Sequence, residues 1–136
     1  MVPFGIRTIA VDAVNGFVLN GEPVELRGGC VHHDNGPLGS AAIARAEERR
    51  VESLKALGYN AIRTSHNPVS RAFLDACDRL GMLVMHEAFD CWSQGKLTDD
   101  YHNYFDEWWH RDLEAMVLSS INHPSIASAF LAAHTA

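Results

Sequence analysis

The apolar residues of the chain occur in short runs that alternate with segments of helical periodicity. Residues 60–64 and 82–86 are the kind of apolar run that is typical of buried strands. Residues 40–57 and 70–80, which precede these runs, carry apolar positions three and four apart, as on one face of a helix. The pattern therefore predicts a helix, a strand, a second helix and a second strand, in that order.

The ends of the two predicted helices carry residues that favour such positions. Ser40 is a suitable N-cap for the first helix, and Gly58 and Gly81 stand where a glycine commonly ends a helix. The predicted apolar faces contain Val51, Leu54 and Leu57 in the first helix and Phe73, Leu74, Cys77 and Leu80 in the second.

Further elements are predicted on both sides of these four. Residues 17–19 and 24–26 flank an Asn-Gly pair, which predicts a tight hairpin, and residues 26–31 predict a short strand. Residues 101–118 predict a third helix, and 126–131 a fourth strand. The apolar stripe of the third helix contains Phe105, Trp109, Leu113 and Met116, and both Trp108 and Trp109 are interpreted as core residues.

Strands that alternate with helices are the signature of βα units on a parallel sheet. In such units the reacting groups gather at the carboxyl ends of the strands. The polar residues predicted to lie there are His32, His33, Ser65, His66, Glu87 and Asp90. Three successive strand ends of this kind indicate a binding or catalytic site.

The composition limits which binding partners and which cellular compartment are expected. The 136 residues suit one domain, and the formal net charge of -6 without a basic run argues against nucleic-acid binding. No apolar stretch reaches the roughly 18 residues of a membrane span, and the N-terminus lacks the features of a signal peptide. Three widely spaced cysteines suggest neither a disulfide framework nor a zinc motif. We therefore expect a cytoplasmic protein without a nucleic-acid or membrane partner.

Several candidate site residues allow more than one role. His32 and His33 could ligate a metal, position a sugar or be plain loop residues, and the sugar role is preferred because adjacent loop residues rarely face one ion. Arg63 forms either a structural ion pair or a pair that keeps a catalytic carboxylate ionised. His66 is either a turn residue or part of a site.

The loop after the second strand carries three further candidates. A carboxylate such as Glu87, at the end of an apolar strand, is costly unless it is paired, which favours a role in a site. Glu87 and Asp90 could form an acid/base pair. Trp92 is either a core residue or a platform for a sugar face.

Five sequence motifs, in this order, resemble the start of the catalytic barrel of family-2 glycoside hydrolases. They are residues 4–7 with 17–29, Asn-Ala-Ile-Arg-Thr-Ser-His-Asn-Pro at 60–68, Cys-Asp-Arg-Leu-Gly-Met at 77–82, Glu-Ala-Phe-Asp-Cys-Trp at 87–92 and Asn-His-Pro-Ser-Ile at 122–126. Each motif alone is weak, whereas together they are specific.

The resemblance implies a partial (β/α)8 TIM barrel, an α/β fold with about three βα units and a possible fourth strand after a short hairpin. It implies retaining hydrolysis of terminal β-linked sugars, most often β-galactosides. It also implies that His32 and His66 contact the sugar and that Arg63 supports the nucleophile.

The same resemblance assigns roles to the loop residues. Glu87 matches an active-site acidic position that binds magnesium in some members, and no other cofactor is expected. Asp90 and Trp92 resemble the acceptor of a sugar hydroxyl and the aromatic wall in the subgroup with Glu-Ala-Phe-Asp-x-Trp. This loop favours a β-galactosidase over a β-glucuronidase or a β-mannosidase.

The chain departs from the family after its last motif. In the family that motif leads into a strand ending in Trp-x-x-x-Asn-Glu, whose glutamate is the general acid/base, whereas no acidic residue follows Glu114 here. No residue is therefore assigned as acid/base or nucleophile. We predict one incomplete barrel domain, with a leading segment and hairpin at 1–25, βα units at 26–126 and a divergent tail at 127–136.

Three functional hypotheses follow. The first is a fragment of a β-galactosidase that is inactive alone, because a full barrel needs about 250 residues. Its open edges predict marginal stability, self-association or a complementing chain. The second is a sugar-binding or self-assembling module without catalysis. The third is a metal-dependent hydrolase that uses His32, His33, Glu87 and Asp90.

Overall fold

The computed structural model describes residues 3–130, with side chains for residues 3–128. The first element of this part of the chain is an antiparallel sheet. Its strands are β1 (Ile9–Asp12), β2 (Gly16–Leu19) and β3 (Glu22–Pro23). β2 and β3 are antiparallel neighbours, and Asn20 and Gly21 between them both have positive φ. A two-residue turn of this kind favours Asn-Gly, so the predicted hairpin is confirmed.

The arms of this hairpin differ from the prediction in two ways. β1 pairs with β2 and was not among the predicted elements, because its exposed residues show no buried face. The second arm pairs through residues 22–23, so its prediction at 24–26 is wrong. The tight turn sets Leu19 opposite Glu22, and the chain leaves this sheet after Val24, whose N–H donates to Phe17 O.

A four-stranded parallel sheet forms the centre of the structure. Its strands, in spatial order, are β4 (Gly28–His32), β5 (Ala61–Ser65), β6 (Leu83–Glu87) and β7 (Ile126–Phe130). The helices that connect them are α1 (Ala44–Ala56), α2 (Arg71–Leu80) and α3 (His102–Ser120). The prediction of three βα units followed by a fourth parallel strand is confirmed. Residue 131 and the rest of the predicted tail to 136 lie outside the described residues.

The main core lies between this sheet and the first two helices. It is formed by Val51 of α1, by alternate strand residues and by the predicted inner face of α2, including Ile62, Phe73, Leu74, Cys77 and Val84. These residues are 2% exposed or less. Burying one such aliphatic or aromatic side chain contributes about 1.5–3 kcal/mol, which is why the apolar pattern predicts this face well.

The start of α1 is a second correction. Ser40 does not cap this helix, whose N-cap is Ile43, without a side-chain hydrogen bond. Gly36–Leu38 form a short 3-10 turn, and the loop continues through residue 43 before the helix begins. Leu57 follows the helix and is exposed, so it does not belong to the apolar face.

The two adjacent tryptophans of α3 also differ from the prediction. Trp109 is 40% exposed, although its ring stacks on Phe105, and Trp108 is half-buried beneath the guanidinium of Arg111. Neighbouring residues on a helix point in different directions, so the two rings cannot share one buried stripe. Met116, at the end of the predicted stripe, is buried.

The inner face of the parallel sheet is open. Within residues 3–130, β4 and β7 each have one neighbouring strand in this sheet. The face borders a cavity of about 550 Å³ whose apolar lining includes Ile9, Val11, Leu26, Cys30, Met85 and Ala127. No helix in the described part of the chain is both long and apolar enough to cross a membrane.

Candidate active site

The carboxyl ends of β4, β5 and β6 bring together most of the predicted site residues. β4 ends at His32, β5 at Ser65 and β6 at Glu87. His66 follows β5 through a cis peptide bond. Since these parallel strands are adjacent, their ends share one edge of the sheet, where parallel βα folds place their sites.

Glu87 is the centre of the cluster. Its side chain is 2% exposed, and both carboxylate oxygens are engaged: Arg63 Nε donates to Oε1, and His66 Nδ1 lies 3.0 Å from Oε2. The backbone N–H of Glu87 donates to Thr64 Oγ1 over 3.0 Å. The hydrogen bond with Glu87 raises the pKa of Arg63 above its usual value. A buried carboxylate with these partners is suited to positioning other groups.

Asp90 lies outward of Glu87, and His66 lies between the two carboxylates. His66 Nε2 is 3.8 Å from Asp90 Oδ1, and the same oxygen accepts a 2.7 Å hydrogen bond from Lys96 Nζ. The ring of His32 packs edge-on against the ring of His66, with 5.6 Å between centroids. Arg63, His66, Glu87 and Asp90 therefore form one connected cluster, and His32 borders it.

His33 and Trp92 differ from this group in their contacts. His33 Nε2 lies 3.1 Å from Ser40 O, within its own loop. The ring of Trp92 stacks on Phe105 at 5.5 Å and meets Phe89 edge-on at 6.3 Å, so it belongs to a second, smaller aromatic cluster. Trp92 is half-buried, which is compatible with packing on one side and a ligand on the other.

The loop after β6 is organised by a carboxylate that the sequence did not single out. Asp100 Oδ2 accepts hydrogen bonds of 2.7 Å from the backbone N–H groups of Lys96 and Leu97. Its Oδ1 accepts from the N–H of His102 over 2.9 Å and from Cys91 Sγ over 3.1 Å. The backbone hydrogen bonds from Leu97 and His102 lower the pKa of Asp100, which keeps this carboxylate ionised.

Lys96 and Cys30 are also missing from the predicted site. Cys30 Sγ lies 3.7 Å from Arg63 Nη1, on the open face of the sheet. Strand alternation places Cys30 on the same face as His32, and this alternation could have identified it. Lys96 carries no such pattern, because its position depends on the path of an irregular loop.

The described side chains contain one group of three potential metal ligands with atoms within 4.8 Å of one another. It consists of Asp75, Asp78 and His123, and His123 Nδ1 lies 2.6 Å from Asp78 Oδ2. His123 precedes β7, so the group lies at the amino end of the sheet, away from Glu87. His32, His33, Glu87 and Asp90 do not form such a group, and the metal-dependent alternative stays a hypothesis.

A parallel sheet with a polar cluster at its carboxyl edge is the arrangement expected of part of a (β/α)8 barrel. Residues 9–128 match the family model described as glycosyl hydrolases family 2, TIM barrel domain. The chain belongs to this family, and its four parallel strands and three helices are part of that barrel.

Known relatives agree with this assignment. The chain is 51% identical over 124 residues to the beta-galactosidase BoGH2A of Bacteroides ovatus, an alignment that covers 91% of this chain and 15% of that protein. It is 46% identical over 124 residues to a putative beta-glucuronidase of Formosa agariphila, and this alignment covers 90% of this chain and 12% of that protein. A glycosyl hydrolase family 2 member from Bacteroides cellulosilyticus superimposes with a TM-score of 0.87 at 59% identity, covering 90% of this chain and 16% of that one.

The chain therefore spans less than a fifth of the length of these relatives. It corresponds to one stretch of a family that acts on carbohydrates. The relatives include both beta-galactosidases and beta-glucuronidases, so family membership leaves the sugar open.

Proposed function

We propose that this chain forms the first part of the catalytic barrel of an enzyme that hydrolyses terminal β-galactosides. The observation that carries the proposal is the cluster of Arg63, His66, Glu87 and Asp90 at the carboxyl edge of the parallel sheet. The Glu-Ala-Phe-Asp-Cys-Trp sequence of the loop and the 51% identity to a beta-galactosidase favour a galactoside as the substrate.

The residues of the cluster have different roles in this proposal. Asp90, which is 54% exposed, accepts a hydrogen bond from a sugar hydroxyl, and Trp92 forms an apolar wall for a sugar face. His66 and His32 contact the sugar from the neighbouring strand ends. Arg63 is a positioning residue, since its guanidinium holds the buried carboxylate of Glu87 in place.

We further propose that this stretch does not itself contain the catalytic pair. Hydrolysis of a glycosidic bond requires one carboxyl group to protonate the leaving oxygen and a second to act as nucleophile or base. Glu87 is 2% exposed and held by Arg63 and His66, which suits a positioning role, and no acidic residue follows Glu114, where the family has its general acid/base. The guanidinium of Arg63 next to this carboxylate also opposes a magnesium ion there, because like charges repel.

Hydrolysis of an aryl β-galactoside by the purified 136-residue chain tests this proposal, with Glu87→Gln as the matched variant. We expect no turnover above that of the variant, and saturable binding of galactose by the unaltered chain. Turnover that disappears in Glu87→Gln would overturn the claim that this stretch lacks the catalytic pair, and it would point to Glu87 with Asp90 as an acid/base pair. An aryl β-glucuronide, tested in parallel, addresses the sugar.

A further inference from the structure

A lysine lies at the outer rim of the proposed sugar site. Lys96 Nζ donates to Asp90 Oδ1 over 2.7 Å, and His66 Nε2 lies 3.8 Å from the same oxygen. The side chains of Lys96 and Asp90 are 41% and 54% exposed, whereas that of Glu87 is 2% exposed. A ligand that enters the site therefore meets the pair of Lys96 and Asp90 before it reaches Glu87.

The backbone of Lys96 is fixed relative to this rim. Its N–H group and that of Leu97 each donate to Asp100 Oδ2 over 2.7 Å. Because Asp100 also accepts from the N–H of His102 at the start of α3, the loop is anchored to a helix. This anchoring keeps the ammonium of Lys96 within reach of Asp90.

The charges of the cluster are balanced pair by pair. Arg63 accompanies Glu87, and Lys96 accompanies Asp90, so each carboxylate has one permanent cation. A neutral sugar can use such a pair without disturbing the balance, since one hydroxyl donates to the carboxylate and its neighbour accepts from the ammonium. The carboxylate of a uronic acid would compete with Asp90 for the ammonium of Lys96, and it would place a second carboxylate next to Asp90, where the two negative charges repel each other.

We propose that Lys96 and Asp90 act together as a specificity-determining pair that selects neutral β-glycosides over β-uronides. Lys96 donates to one sugar hydroxyl and Asp90 accepts from the adjacent one. This inference rests on the proposed function, because it assumes that a sugar binds at the carboxyl edge of the sheet. It adds Lys96 to that site and predicts that the site distinguishes sugars by their charge.

Titration of the 136-residue chain with methyl β-galactopyranoside and with methyl β-glucopyranosiduronate, followed by NMR chemical shifts, tests the pair. We expect the unaltered chain to prefer the galactoside and Lys96→Met to bind it about tenfold more weakly, the loss of one hydrogen bond to a charged donor. Asp90→Asn leaves Lys96 uncompensated, so its affinity for the uronide should rise about tenfold relative to the galactoside.

Lys55→Met is the matched control. Lys55 is the other lysine of the chain, and its ammonium donates to Gly81 O at the end of α2, outside the cluster. This variant should bind both sugars as the unaltered chain does.

Two outcomes would overturn the inference, and they are distinguishable. If the galactoside binds but Lys96→Met and Asp90→Asn keep the affinities of the unaltered chain for both sugars, the pair is not a specificity element and the proposed function stands. If neither sugar shifts any resonance of the unaltered chain, the sugar site and the pair both fail.

Discussion

Arg63 illustrates how a single residue at the site contributes to stability as well as to position. Its guanidinium is the permanent cation next to Glu87, a carboxylate that is almost fully buried. Removing one partner of such a pair leaves the other charge desolvated and uncompensated. We therefore expect Arg63→Met to lower the free energy of unfolding by about 2 kcal/mol, as measured by urea denaturation.

Two further variants test whether the loss in Arg63→Met comes from the ion pair with Glu87. Arg63→Met combined with Glu87→Gln should lose less than the sum of the single changes, because no buried charge is then left alone. Arg27→Met removes an ion pair with Glu25 that is exposed on both sides, and it should leave the transition unchanged. Equal losses in Arg63→Met and Arg27→Met would contradict the argument.

His86 gives the stability a pH dependence. Burial and the nearby charge of His123 lower the pKa of His86 to about 4. The unfolded imidazole takes up a proton near pH 6.5, so between about pH 6.5 and 4 the unfolded state binds more protons than the folded state. The free energy of unfolding should fall as the pH is lowered through this window, by at most about 1.4 kcal/mol per pH unit from this residue.

Denaturation of His86→Gln across the same window measures this contribution. Glutamine offers an acceptor for the Val69 N–H group that now donates to His86 Nε2, and it does not titrate. The variant should show a shallower pH slope than the unaltered chain. Parallel slopes would mean that other groups dominate the acid response.

At the scale of whole elements, two serines near the starts of helices differ in what they do. Ser70 caps α2, since its Oγ accepts from the N–H of Phe73 over 3.2 Å, whereas Ser40 lies in the loop before α1. Ser70→Ala should cost about 1 kcal/mol in the free energy of unfolding. Ser40→Ala, the matched control, should cost nothing measurable, and a similar loss in both variants would show that the cap does not act as described.

The difference between these serines shows what the sequence can predict. α2 and the strands β5 and β6 were predicted to within one residue, because their apolar positions are buried in one core and the periodicity reports that burial. The start of α1 depends instead on the loop Gly36–Leu38 and the residues after it, where no apolar pattern operates. β1 was missed for the same reason, since its residues are exposed.

The residues of the candidate site also differ in whether the sequence could predict them. Residues at strand ends, such as Arg63, His66 and Glu87, could be predicted because topology fixes where parallel strands end. Lys96 and Asp100 lie in an irregular loop whose path depends on backbone hydrogen bonds to one carboxylate. Such contacts follow no period, so they become visible only in three dimensions.

At the scale of the molecule, the parallel sheet has the edges of a barrel that is not closed within the described residues. β4 and β7 each have one neighbour there, and the inner face borders the apolar cavity described above. Unpaired strand edges next to an apolar face are sites of association. We propose that the 136-residue chain associates through this face when it is studied alone.

Analytical ultracentrifugation over a range of concentrations measures this association. We expect the mean mass of the 136-residue chain to rise with concentration, because pairing at the edges of β4 and β7 and contact of the apolar faces are bimolecular events.

Val11→Lys combined with Leu26→Lys places charges on the lining of the cavity, on side chains that are already exposed, and should shift the chain toward the monomer. Val14→Lys with Leu97→Lys replaces apolar residues that are, as a pair, more exposed and do not line this cavity, and it serves as the control. A chain that stays monomeric at every concentration would show that the open face is tolerated in water, and association that only the control pair reduces would place the contact elsewhere.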